Sequence, residues 1–383
     1  MIKNFLSREK KENFLIVSFL ENKLEATTIC ADFINKDLEI NKILETNLED
    51  NLNILKRIFS NVFHSRPYKV ILSFSHQLAV TNFSQVTVFR DNPKQTINEA
   101  ELENLISRAV FNFFGQTRKY ASSRLNIGEV EALICDVRIY DVSLDNHPVL
   151  DLLKEKGKKL DFYISETFCR RDFLKEIISF LPKRASVAFV AEGGSSLTHL
   201  ISRYFEKPFL FAKVGSEETS LFLRTKENKI NYIESFKWGL NNLYLAIAKE
   251  FNFNLETAKL ILNRYLEGTT SSTFRRKLQF FLKKELALLG KGLEIINSNI
   301  KSKNLIIDLP PSLAKFLKIK NISANSIKSI DTKIILDAFN FKLKTLYVWE
   351  DLYGAAVFLE SYFSPQENLL NKLAKRRMRW LIP

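Results

Sequence analysis

Short apolar runs rich in β-branched and aromatic residues alternate with stretches at helical spacing along this chain, and that alternation constrains its fold most. FLIVSFL (residues 14–20) and Lys23–Cys30 read as a hairpin across Glu21-Asn22. TNLEDNLNILKRIFSNVF (46–63) has helical spacing, YKVILSF (68–74) is β-rich, and 78–90 alternates as a strand does. Thr96-Ile97-Asn98-Glu99 has the form of a capping box and predicts a helix from Ile97 to Phe114. Strands are expected at Glu131–Val142, Leu160–Ser165 and Ala185–Ala191, with a helix at Arg171–Phe180 stopped by Pro182. A hairpin follows, Phe209–Val214 and Ser220–Thr225, and then a mainly helical stretch at 239–299. Leu305–Asp308 and Lys342–Val348 are short strand candidates, and Leu352–Tyr362 is an apolar helix. Such alternation implies an α/β chain of tightly packed units.

Composition narrows the functions open to this fold. With 383 residues the chain holds two or three structural units. Thirty-two Phe predict an aromatic core, and only 11 Gly argue against several glycine-rich phosphate loops. The three cysteines, Cys30, Cys135 and Cys169, and four histidines show no metal spacing, so they read as buried thiols of a reducing compartment. No apolar run approaches the length that spans a bilayer. A net charge of +14 draws anionic partners without choosing among them.

Four segments bear on chemistry. Gly215-Ser216-Glu217-Glu218 is a tight turn of the kind that can wrap a phosphate, but its carboxylates repel one, and a plain β-turn is the stronger reading. Ala191–Ser196 joins a strand to a helix through Gly193-Gly194, either as a structural turn or as a ligand loop. The clusters Arg275-Arg276-Lys277 and Lys283-Lys284 flank Phe280-Phe281, which predicts buried aromatics beneath solvated cations. Ser364-Pro365-Gln366-Glu367 opens a terminal helix. On that helix Leu369, Leu370, Leu373, Ala374, Trp380 and Leu381 occupy one side; Lys372, Lys375, Arg376 and Arg379 occupy the other, and Arg377 intrudes on the apolar half. This pattern predicts a helix lying in a membrane interface, with docking on the chain's own core or nucleic acid as the alternatives.

The order of these parts resembles FtsA, the actin-family protein that tethers the bacterial division ring to the membrane. The resemblance rests on four segments. YKVILSF through LDFYIS is similar to that family's inserted subdomain, with Asn146-His147-Pro148 and Gly157–Leu160 at its turns. FLFAKVGSEETSLFL is similar to its second phosphate hairpin and runs on to Trp238-Gly239 and NLETAKLILNRY. LPPSLAKFL and the amphipathic tail follow in family order. The resemblance implies an α/β actin-like (ribonuclease H-like) fold of two domains, with an FtsA-type insertion and a C-terminal amphipathic helix. Residues 1–67, 166–206 and 341–363 would form the first domain, 68–165 the insertion, 207–340 the second domain and 364–383 the membrane helix.

It further implies a nucleotide cleft at Lys213, Gly215, Ser216, Glu217, Glu218, Thr219 and Glu192. Lys213 stands where the family has Asp, Ile16–Glu21 lacks the small residues of the first phosphate loop, and Asp308-Leu309-Pro310-Pro311 lacks glycine. The expected protein is therefore not an enzyme and has no cofactor, with Mg·ATP binding as the lesser possibility. Its expected partners are an FtsZ-like division protein, an anionic membrane and further copies of itself, at the cytoplasmic face of the membrane and without nucleic acid. The membrane helix would act through Leu369, Leu370, Lys372, Leu373, Lys375, Arg376, Arg377, Arg379, Trp380 and Leu381. A PilM-like protein of pilus assembly, which binds a short peptide of an inner-membrane partner, an active actin-like ATPase and a nucleic-acid-binding protein are the rivals.

Overall fold

A computed structural model describes residues 11–379 except 21–22, 48–50, 64–67, 183–184, 207, 321, 331–340, 344–356 and 361–368. The first sheet comprises β1 (Lys11–Phe19), β2 (Lys23–Asp32), β3 (Asp37–Asn47), β4 (Lys69–Phe74), β9 (Ser186–Glu192) and β15 (Lys342–Leu343). Its order is β15-β3-β2-β1-β4-β9. The first three strands run antiparallel to one another, β4 joins β1 in parallel, and β9 joins β4 in parallel. The second sheet repeats this plan with β10 (Phe209–Val214), β11 (Thr219–Arg224), β12 (Ile230–Phe236), β13 (Leu305–Ile307) and β14 (Ile327–Ser329). Their order, β14-β13-β10-β11-β12, with the same directions, is again fifth-fourth-first-second-third. Two copies of one strand order define the two domains.

Strand periodicity places the core. In β1, Phe14 and Ile16 enter one apolar cluster while Leu15, Val17 and Phe19 enter another. In β10, Phe209 and Phe211 face the first of these, and Leu210, Ala212 and Val214 face the helical side of the second domain. Both sheets are thus covered on both faces, as their near-continuous apolar runs require. Helices α1 (Asn51–Phe63) and α3 (Arg171–Phe180) cover the outside of the first sheet, and α4 (Gly193–Ile201) lies in the core shared by the two. Helices α5 (Leu240–Phe251), α6 (Leu255–Leu266), α7 (Ser272–Ile300) and α8 (Pro311–Ala314) cover the second.

The insertion consists of β5 (Ala79–Phe89), α2 (Glu99–Leu125), β6 (Ala132–Leu144), β7 (His147–Pro148) and β8 (Lys159–Arg170). It extends the second sheet as β12-β5-β8-β6-β7, through one residue pair, Ile230 and Phe83. Its boundaries differ from the expected 68–165. Residues 69–74 are β4, wedged between β1 and β9, so they belong to the first domain, and β8 continues to Arg170. On neighbouring strands β6 and β8, Cys135 and Cys169 lie with their sulfurs 3.1 Å apart and unbonded, and burial pushes the Cys135 thiol well up.

The terminal helix, α9 (Leu369–Met378), packs on the insertion. Leu373 and Ala374 are buried in the insertion's core. Asn371 is buried too; it accepts from the Ile139 N–H at 2.8 Å and donates to the Ile139 carbonyl at 2.9 Å. Lys375 lies 3.6 Å from Asp136, and Arg376 and Arg377 both meet Glu103. This corrects the expected membrane seat for Leu373, which with Ala374 is spent on the protein itself, whereas Leu369 is exposed and Leu370 half-buried. The helix lacks anions of its own, but α2 and β6 supply them. Trp380 and Leu381, and the capping box at 364–367, lie outside the described residues.

Candidate functional site

Two crevices meet the two ends of α4. At its N-terminus lies the cleft that the nucleotide of an actin-like protein would need. Free N–H groups at a helix start attract an anion. Here Glu192 supplies one internally: its carboxylate accepts from Gly194 N and Ser195 N, both at 2.9 Å. Burial pushes the Glu192 carboxyl up, against the pull of Ser195 and of the Lys213 charge. A Cβ on Gly194 would stand 2.1 Å from the Phe222 ring, so that glycine admits the Phe222 ring rather than a phosphate.

The hairpin turn is spent in the same way. The Gly215 and Ser216 carbonyls accept from Leu240 N and Asn241 N at the start of α5, at 3.0 and 2.9 Å, and Gly215 N donates to Glu218 O. Gly239 packs so closely that a Cβ would meet the Ser216 backbone at 2.4 Å. Thr219 Oγ1 donates to the Trp238 carbonyl at 2.7 Å, and Glu217 is exposed. The loop at 308–311 lies beside β10, its Asp308 N–H donating to Ala212 O, and leads into α8.

His76, from the β4–β5 turn, fills what remains. Its ring stacks on Tyr232 with centroids 4.6 Å apart and meets Ser220 Oγ at 3.3 Å and Glu218 Oε1 at 3.4 Å. Burial, reinforced by Lys213 and Arg124, drives the His76 pKa down to about 3, so the ring is neutral. On Tyr232 lies the guanidinium of Arg124 from α2, 3.8 Å from the ring centre. Arg124, Tyr232 and His76 therefore clasp the insertion, the second domain and the first. A space of about 10 Å³ is left, room for one water at most. Lys213, Glu192 and Glu218 do converge around His76 as expected, but with the gap filled and two carboxylates in it, these residues do not fit a triphosphate with Mg²⁺.

At the other end of α4 a groove of about 820 Å³ runs between the insertion and the two domains. Tyr140 and Tyr163 line it from β6 and β8, His199 and Arg203 from the α4 end, and Arg224 from β11. Leu150, 87% exposed, and Leu370 of α9 stand at it as apolar groups. His199 Nδ1 lies 2.8 Å from the buried Glu360 carboxylate. Burial pushes Glu360 up, but His199, Arg203 and Arg138 outweigh it and hold the group below its ordinary value. Arg224 donates to the Tyr163 hydroxyl, and burial takes the Tyr163 pKa up to about 12. The groove thus combines aromatic walls with the exposed, oppositely charged Arg203 and Asp141, while the buried Arg224 and Asp161 are engaged within the chain by Tyr163 and by Thr87 and Lys159. Of these residues the sequence draws attention only to His199, one helical turn from Ser195-Ser196, and to Leu370, as part of the terminal helix; Tyr140, Tyr163, Arg203 and Arg224 come from distant elements and carry no local signal.

Among the described residues no group of three metal-ligating side chains occurs, and no helix is long and apolar enough to cross a membrane. No family model and no curated protein matches the chain. Solved structures similar to it include a PilM–PilN type IV pilus biogenesis complex, at 14% identity over 97% of this chain and 99% of that one, with a TM-score of 0.46. Others are a ROK family glucokinase from Streptomyces griseus, at 9% identity, 91% and 97% coverage and TM-score 0.41, and the ethanolamine utilization protein EutJ from Carboxydothermus hydrogenoformans, at 7%, 90% and 89%, and 0.37. With its duplicated strand order, covered sheets and insertion, the chain has the actin-like ATPase fold.

Proposed function

We propose that this chain is an actin-fold adaptor that holds a segment of a partner protein in the groove at the C-terminal end of α4 and does not turn over ATP. One observation carries the reading: the cleft is filled by the chain's own side chains while the neighbouring groove stays open. A pilus-assembly type of partner, which brings the protein to the membrane by its own segment, agrees with the seating of α9 on the insertion. A photo-crosslinker at position 150 tests this in cells. One polypeptide should be captured through one segment, and Arg203→Glu should abolish the adduct. Tight Mg·ATP binding in a calorimetric titration, or an adduct indifferent to Arg203→Glu, would overturn the reading.

A second reading, the membrane tether of an FtsZ-like ring, draws on one observation: Lys372, Arg376 and Arg379 are exposed along the outer edge of α9. In it α9 leaves its seat and lies on anionic lipid, and self-association follows at the membrane. Hydrogen exchange at the Ile139 amide separates the two. Protection lost on adding anionic vesicles supports the tether, and protection unchanged supports the adaptor.

A further inference from the structure

Helix α7 buries Leu278, Leu282, Leu286, Leu289 and Leu293 in the second domain. Its opposite side departs from the sequence expectation of aromatics beneath cations. Phe280 is 69% exposed, Leu288 49% and Ile295 70%. At about 100° per residue, Lys277, Phe280, Lys284, Leu288, Lys291 and Ile295 fall within an arc of roughly 80°. Cation and apolar side chain alternate along about 27 Å of one helix. All three lysines are exposed, as are Arg276 and Lys283, while the only carboxylates of α7, Glu285 and Glu294, are half-buried. The outer face is therefore purely cationic, and charge complementarity asks for an anionic partner.

The alternation identifies the kind of partner. A dry protein interface keeps charge out of its centre, and here a lysine separates each apolar side chain from the next. Nucleic acid would pair with the lysines and could stack on Phe280, but offers little to the aliphatic Leu288 and Ile295. A phospholipid surface takes both: ammonium groups reach the phosphates while the apolar side chains enter between the headgroups. Phe280 is backed for that role, since its ring meets Phe281 edge-on at 5.4 Å, and Phe281 in turn meets Phe251 at 6.0 Å.

We propose that the outer face of α7 docks on an anionic phospholipid surface, with Lys277, Lys284 and Lys291 at the phosphates and Phe280, Leu288 and Ile295 among the headgroups. This site is separate from the partner groove and from α9. Co-sedimentation of the full chain with phosphatidylcholine vesicles, with and without phosphatidylglycerol, tests it. Binding should require phosphatidylglycerol and weaken with salt. Lys277→Glu, Lys284→Glu and Lys291→Glu together should weaken it by at least roughly a hundredfold, and Phe280→Ser with Ile295→Ser should weaken it at every salt concentration. All five side chains are exposed, so unchanged melting temperatures will show that the variants fold. Lys372→Glu with Arg379→Glu changes only α9 and the residue that follows it and should leave binding intact. No binding dependent on phosphatidylglycerol, or a loss confined to the α9 variant, overturns the proposal. So does duplex DNA binding that the lysine variant abolishes while vesicles are not bound.

Discussion

The two ends of α4 face crevices of opposite character. At the N-terminal end the groups that could hold a phosphate are taken internally: Glu192 accepts from the helix N–H groups, the hairpin carbonyls accept from those of α5, and a neutral His76 stacks on Tyr232. At the C-terminal end Arg203, Asp141 and Tyr140 line open space. The difference teaches that a crevice between two such domains closes by small local means. One glycine that admits a phenyl ring and one imidazole suffice. What lines the groove is larger, the insertion's strands β6 and β8 facing the end of α4 and β11.

Breaking the closed side should have the largest effect. Phe222 is 1% exposed and packs on Gly194. Phe222→Ala should cost about 3–5 kcal/mol in urea denaturation, yet it should not create Mg·ATP binding in calorimetry, because Glu192 and Glu218 remain. Acid attacks the same side. Unfolded, His76 takes its proton near pH 6.5; folded, only near 3. Between those values the unfolded state binds the proton and the folded state does not, so stability present above pH 6.5 is lost as the pH falls, by a few kcal/mol at most. Urea midpoints measured against pH should show this slope, and His76→Gln should flatten it.

Glu166 sharpens the comparison from within the insertion. It is fully buried in β8, and burial holds its carboxyl well above the ordinary range. The folded state therefore keeps a proton that the unfolded state releases, and stability falls as the pH rises past about 4.5. Glu166→Gln should raise stability at neutral pH and leave it unchanged at pH 4 in thermal melts. The smallest effect belongs to the open side. Leu150→Asp should change stability by no more than about 0.5 kcal/mol, while weakening capture of the partner segment in a pull-down against the unaltered chain.

Much of this fold was legible in the alternation of runs. The strands 209–214 and 132–144 and the helix 171–180 lie close to where periodicity predicts them. Strand β3 was not, because DLEINKILETN mixes charges with few apolar positions and, among the described residues, β3 pairs beyond β2 only with Lys342 and Leu343 of β15. In the cleft the departures Lys213 and Glu217-Glu218 were legible, but not the plug. Phe222 and Tyr232 look like ordinary strand residues until the domains close on His76. The tail misled for a related reason. Its cations were counted against anions in the same segment, whereas Glu103 and Asp136 come from far along the chain. Asn371, buried among leucines, was the available hint, since a buried amide wants backbone partners rather than lipid.

Asn371 also has a consequence for solubility. Beyond the two-residue strand β7, no strand covers the outer side of β6 among the described residues, and β9 likewise ends the first sheet. Side chains stand in for the missing neighbours. Asn371 satisfies Ile139, while Arg138 donates to Ala188 O and Asp136 accepts from Val190 N. A bare strand edge is a template for adding another chain. These three side chains work as selvedges on a woven cloth: they finish each sheet where the weave stops. A chain lacking α9 would begin to fray at Ile139, by recruiting a strand from its neighbour.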